Sequence, residues 1–168
     1  MIPAHESVAY GSRTHVRDTL DAIRLRRMAR RDAFIDHLQQ VPLFAACSRK
    51  DLQLVARRAE DVRVAAGKTL VSEGETGHEF FVILEGNAKV SRQGRKVATI
   101  GPGAAFGELA LLEKAPRNAT VVAESDMELV VLGQREFAGL IDEVPGFARK
   151  LLAGMAHRLR EADSKNVQ

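Results

Sequence analysis

The stretch "VRVAAGKTLVSEGETGHEFFVILEGNAKVSRQGRKVATIGPGAAFG", Val62–Gly107, is a series of short β-branched and aromatic runs, broken by glycine at Gly67, Gly74, Gly77, Gly86, Gly94, Gly101 and Gly103. Strands of this length with turn residues between them make an antiparallel sandwich or barrel. Two more runs follow at the same spacing, "ATVVAES" from Ala119 and "MELVVLG" from Met127.

On either side the period changes. From about Thr14 to Gln40 there is no Gly or Pro, and Leu, Ile, Met, Ala and Arg dominate, which favours helix. Pro42 ends that run, because the residue before a proline is pushed out of helical geometry. Ser48 is placed to N-cap a second helix, "SRKDLQLVARRAE", with Asp51 three residues on and Leu52, Val55, Ala56 and Ala59 on one side. After Gly133 a short helix runs to Val144 and a longer one begins near Pro145, with Leu151, Leu152, Met155, Leu159 and Ala162 in a stripe that suits a core face or a dimer seam. The expected fold class is α+β, mainly β: an antiparallel β-roll or jelly roll flanked by N-terminal helices and a long C-terminal helix. The expected divisions are a flexible tail at 1–13, a basic amphipathic helix at 14–40, and the roll with its flanking helices at 41–168.

At 168 residues the chain suffices for one well-buried core with attachments. A single cysteine, Cys47, excludes an intrachain disulfide and a cysteine-rich metal knot. The N-terminus lacks the basic start, apolar centre and small-residue cleavage site of a signal peptide, and the apolar runs fall far short of the roughly 20 residues that span a bilayer. A cytoplasmic location is expected.

Residues 1–35 hold seven arginines against four acids, a local excess equal to the whole chain's net charge of +3. On a helical wheel Arg24, Arg26, Arg27, Arg30 and Arg31 cover one half, with Leu25, Met28 and Ala29 opposite. Such a helix is suited to an anionic partner: nucleic acid, a membrane surface or an acidic protein. The lack of aromatics around it argues against sequence-specific RNA binding.

The chemistry is concentrated in "FGELALLEKAPRNATV", Phe106–Val121. A glycine opens a short helix-favouring segment whose first backbone N–H groups are uncovered and available to an anion. Arg117, nine residues after Glu108 and stiffened by Pro116, brings a planar fork of donors that matches phosphate oxygens. An acid beside that anion makes sense as the acceptor of a neighbouring sugar hydroxyl. Acid and arginine together ask for a sugar phosphate of low charge.

"FGELALL" followed by "PRNAT" closely resembles the phosphate-binding cassette of cyclic nucleotide-binding domains, the family of the bacterial catabolite activator protein and the regulatory subunits of cAMP-dependent protein kinase. "VSEGETGHEFFVILEGNAKV" is similar to that family's glycine-punctuated strands. The resemblance implies that Glu108 accepts the ribose 2'-hydroxyl, that Arg117 pairs with the cyclic phosphate, and that backbone N–H groups of Gly107, Leu109, Ala110, Asn118 and Ala119 complete the cradle. It implies a base lid from the last helix, where Met155, His157, Arg158 and Leu159 are the candidates, and a homodimer through that helix. Asn118 stands where family members often carry Ala, Ser or Thr, which leaves cAMP and cGMP both open. The family's transcription factors continue into a helix-turn-helix domain; the chain stops at Gln168, so a stand-alone sensor without sequence-specific DNA binding is expected, acting on an unidentified protein partner through its helices.

No catalytic residue, metal or cofactor is expected. There is no GxSxG elbow, and a cupin-like metal site would need a second histidine on the strands close to His78 and Glu79. The alternative to a sensor is a degenerate roll that serves as a structural or interaction subunit through its arginine-rich helix.

Overall fold

The computed structural model describes residues 12–166, with side chains described for 17–165. Helix α1 spans Ser12–Gln39, a single 3-10 turn Pro42–Phe44 follows, and α2 spans Arg49–Arg58. Eight strands come next: β1 Glu60–Val64, β2 Thr69–Val71, β3 Glu79–Glu85, β4 Ala88–Arg92, β5 Arg95–Ile100, β6 Ala105–Phe106, β7 Thr120–Ala123 and β8 Met127–Gly133. The short α3, Glu108–Leu112, interrupts them between β6 and β7, and α4 Gln134–Glu143 and α5 Pro145–Asn166 close the chain. The expected class holds: an antiparallel roll flanked by helices.

The chain forms two compact units, one ending at Phe34 and the other beginning at Ile35. The division therefore falls inside α1 and not at its end. Ile35 and Leu38, in the last turns of α1, are buried in the core of the second unit, which is why those turns belong with the roll. Of the expected tail, residues 1–11 lie outside the described residues and Ser12 and Arg13 are helical. In the first unit Leu20, Ile23, Leu25 and Met28 are exposed, as are the five arginines. At about 100° per residue Leu20 and Ile23 fall among the arginines, so the helix lacks the clean two-faced pattern expected from residues 24–31 alone.

In the second unit the strands form two four-stranded antiparallel sheets, ordered β1-β8-β3-β6 and β2-β7-β4-β5. Their inner faces enclose Phe81, Ile83, Ala88, Phe106, Val121, Ala123, Met127 and Leu129. Strand β7 alternates as one-sided burial requires, and β5, an exposed edge, carries Arg95 and Lys96, charges that discourage further pairing. β4 and β5 join through the two-residue turn Gln93–Gly94, both residues at positive φ.

Strand β3 breaks the alternation: five consecutive residues, Phe80–Leu84, are buried. Both of its faces are covered. Phe81 stacks on Phe106 inside the roll, with ring centroids 4.9 Å apart, while Phe80 meets Phe137 of α4 at 4.9 Å and Phe147 of α5 at 6.1 Å on the other side. Phe44 stacks on Phe147, so the 3-10 turn, β3, α4 and α5 share one aromatic cluster. Burying each such ring is worth about 1.5–3 kcal/mol. At α2 the Ser48 hydroxyl accepts from the Asp51 N–H and the Asp51 carboxylate accepts from the Ser48 N–H, a reciprocal cap that sets the helix start.

Candidate functional site

A cavity of about 650 Å³ lies against the roll. Its wall includes all seven residues expected to bind ligand: Gly107, Glu108, Leu109, Ala110, Arg117, Asn118 and Ala119. Of the four candidate lid residues, Met155, Arg158 and Leu159 line the cavity. His157 does not; it is exposed on α5 and pairs with Glu161 one turn on. The valines Val71, Val90, Val97 and Val121 supply an apolar wall, and Arg92 adds a third cationic side chain beside Arg117 and Arg158.

Glu108 and Arg117 are buried, at 2% and 6% exposure, the buried charged residues among those described. Arg117 is held by its backbone first. Its N–H donates to the Glu75 carbonyl and its own carbonyl accepts from the Gly74 N–H, while Thr76 and Pro116 form an isolated bridge. The loop between β2 and β3 therefore clamps the segment that carries the arginine. The side chain then donates from Nη1 to the Gly107 carbonyl at 3.2 Å and from Nη2 to the Glu79 carbonyl at 2.7 Å, with the Glu79 carboxylate 3.8 Å away and the Phe81 ring 5.9 Å from the guanidinium carbon. Burial pulls the Arg117 pKa down, and the charges of Glu79 and Glu108 oppose that pull. A guanidinium stays protonated in such surroundings and keeps N–H donors beyond the two used here.

Two glycines make the seat. A Cβ on Gly77 would stand 2.0 Å from Arg117 Nε, and one on Gly107 would stand 2.6 Å from Nη1 and 2.8 Å from the Glu79 carbonyl. Gly107 also adopts φ +96, which costs a residue with a Cβ. Sequence reasoning treats Gly77 as a turn residue and weighs Glu79 only beside His78 as a metal ligand, not as a partner of Arg117. The run "GETGHEFF" shows the glycine, but only the fold shows that it faces the arginine.

Glu108 opens α3, and its carboxylate accepts from Nη1 of Arg158, whose other terminal nitrogen donates to the Ala105 carbonyl. The candidate lid arginine thus touches the acid of the cavity. Leu152 and Leu159 of the α5 stripe are exposed, whereas Leu151 is packed in the core. His78 is exposed on the loop that precedes β3. Arg24, Arg26, Arg27, Arg30 and Arg31 belong to the other unit and line no part of this cavity. No helix among the described residues is long and apolar enough to cross a membrane.

This is a cavity holding a buried arginine and a buried glutamate on a helix-flanked β-roll. The family model for the cyclic nucleotide-binding domain matches residues 61–144, half of the chain, and the chain belongs to that family. It is 31% identical over 156 residues to a cAMP-dependent protein kinase regulatory subunit of Hypocrea atroviridis, an alignment covering 89% of this chain and 34% of the relative. It is 33% identical over 127 residues to a cyclic AMP receptor protein of Thermus thermophilus, covering 73% of this chain and 59% of that one. The chain therefore spans between about a third and three-fifths of these curated relatives. Among solved structures, the Thermus thermophilus catabolite activator protein superposes with a TM-score of 0.68 at 32% identity, covering 74% of this chain and 61% of the other. A second, described as PKAR CBD2 bound to Sp-2Cl-cAMPS, gives 0.67 at 28% identity, covering 79% and 91%.

Proposed function

We propose that this chain is a cyclic nucleotide sensor that binds cAMP or cGMP in the cavity between Glu108 and Arg117 and passes its ligand state to a protein partner through its helices. The observation that carries the reading is the seated guanidinium of Arg117, with spare donors, in the same cavity as a buried carboxylate. A cyclic phosphodiester bears one negative charge and its ribose one free 2'-hydroxyl. The cavity offers three cations and one anion, Arg92, Arg117 and Arg158 against Glu108, a net positive lining that favours an anionic ligand. Its volume of about 650 Å³ lies within the usual range for small-ligand pockets, and its valine wall suits the apolar faces of sugar and base.

In this reading Arg117 pairs with the phosphate, and the N–H groups of Gly107, Leu109, Ala110, Asn118 and Ala119 share the remaining oxygens. Glu108 accepts the 2'-hydroxyl, and Arg158 with Met155 and Leu159 covers the base side. Because Arg158 already holds Glu108, a nucleotide that engages the same carboxylate changes what α5 rests on. That difference couples ligand to helix, and a useful switch needs roughly 1–3 kcal/mol of it. The protein acts as a regulatory module and not as an enzyme.

The test is calorimetric titration with cAMP and then cGMP, repeated on Arg117→Ala and on Arg117→Lys, which keeps charge but loses the fork. Binding at micromolar level or tighter, about −8 kcal/mol, that is lost in Arg117→Ala and weakened in Arg117→Lys is expected. No heat with either nucleotide at millimolar concentration would overturn the reading in favour of a roll that serves only as scaffold for its arginine-rich helix.

A further inference from the structure

Three side chains distant in sequence converge away from the nucleotide cavity. His37 lies near the C-terminus of α1, Glu85 ends β3, and Glu128 stands directly opposite Glu85 in the β3–β8 register, beside an irregularity in the pairing. One ligand atom from each, an imidazole nitrogen and two carboxylate oxygens, lies within 4.8 Å of the others. None of the three lines the nucleotide cavity.

We propose that His37, Glu85 and Glu128 bind a first-row divalent transition-metal ion of the zinc class. An ion about 2.0–2.2 Å from each ligand brings the donor atoms roughly 3–4 Å apart, a small rotamer adjustment from their present separation. An imidazole with two carboxylates suits zinc, cobalt, nickel or manganese; the absence of thiolate disfavours soft ions, and the nitrogen ligand disfavours calcium and magnesium. Three protein ligands leave a position for water, and His37 and Glu128 are half-buried, so part of the coordination sphere is shielded from solvent.

The surroundings support a cation at this place. Asp61 of β1 adds a third acid beside Glu128. A divalent ion would relieve the repulsion among those acids. Searching the strands for histidine pairs misses this arrangement because its one histidine comes from a helix. The site is independent of the nucleotide reading.

The experiment uses the full chain, without a histidine tag and treated with chelator. Zinc is titrated by calorimetry and cobalt by visible absorption, on wild type, His37→Ala, Glu85→Gln and His157→Ala. Saturable one-to-one binding is expected, weakened at least about tenfold in the first two variants and unchanged in His157→Ala, with far-ultraviolet circular dichroism confirming that each is folded. If His37→Ala does not fold, Glu85→Gln, an exposed strand-end change, carries the comparison. Absence of saturable binding to wild type at about 1 mM zinc, a free energy of only −4 kcal/mol, overturns the proposal, as does equal affinity in wild type and the folded ligand variants.

Discussion

Arg158 of α5 donates to the carboxylate of Glu108 of α3, fifty residues apart in sequence, so the acid that lines the cavity is held by the last helix. Glu108 is buried and Arg158 is half in solvent, so removing the arginine strands a carboxylate with less compensation. Arg158→Ala is expected to lower stability by about 1–3 kcal/mol. With Glu108→Gln the two changes should couple by roughly 0.5–3 kcal/mol in a double-mutant cycle read by denaturant unfolding. Strict additivity would show that the contact carries no energy.

Gly77→Ala should displace the Arg117 guanidinium, because the added methyl would stand 2.0 Å from Nε. Losing a hydrogen bond made by a charged group costs about 1.5–3 kcal/mol, and nucleotide affinity should fall with it. Gly154→Ala is the contrast: it sits in α5 with nothing within 4 Å of the new Cβ and should stabilise the helix by about 0.5–1 kcal/mol. Thermal melts with and without cAMP compare the two, and equal behaviour would contradict the seat described for Arg117.

Removing residues 1–31 should leave the thermal unfolding of the roll and its nucleotide affinity unchanged. The compact unit begins at Ile35, and the buried residues that α1 contributes to it, Ile35 and Leu38, are retained. The same truncation should abolish any binding to an anionic partner that depends on Arg24–Arg31. Loss of nucleotide affinity on truncation would mean that the first unit helps to build the site.

Burial, and secondarily the charge of Asp51, push the Cys47 thiol above its ordinary range. A thiol whose folded pKa is raised contributes stability that is fully present below the unfolded pKa, about 8.5, and is lost as pH rises through the folded value. The chain should therefore lose stability on the alkaline side from about pH 8.5 upward, and Cys47→Ala should lose less over the same interval. Denaturant midpoints at pH 7 and pH 10 measure the difference. Parallel losses in both proteins would assign the alkaline loss to other groups.

The element order was legible because its signals are local. Glycine-punctuated runs, the Ser48–Asp51 cap, Pro42 and the helical stripe after Gly133 each act within a few residues, and helices and strands appear where those signals stand. The cassette was legible for the same reason, since Gly107, Glu108 and Arg117 are close in sequence. What escaped is long-range. The seat of Arg117 uses Gly77 and Glu79 from across the roll, and the contact of Arg158, a candidate for the base lid, with Glu108 joins residues fifty apart. His157, one residue away, points elsewhere because helical spacing turns adjacent side chains by about 100°. The division within α1 was hidden because its helical signal runs unbroken while burial begins at Ile35.

Phe80 and Phe81 are neighbours on one strand, and each belongs to a different crowd. The first ring abuts α4 and α5, and the second lies under the Arg117 guanidinium, so one peptide link separates the arginine's surroundings from the C-terminal helices. Close-packed interiors transmit strain, and β3 is gripped on both faces with no slack to absorb it. In the proposed sensor, a shift of the arginine would reach the C-terminal helices through this one strand.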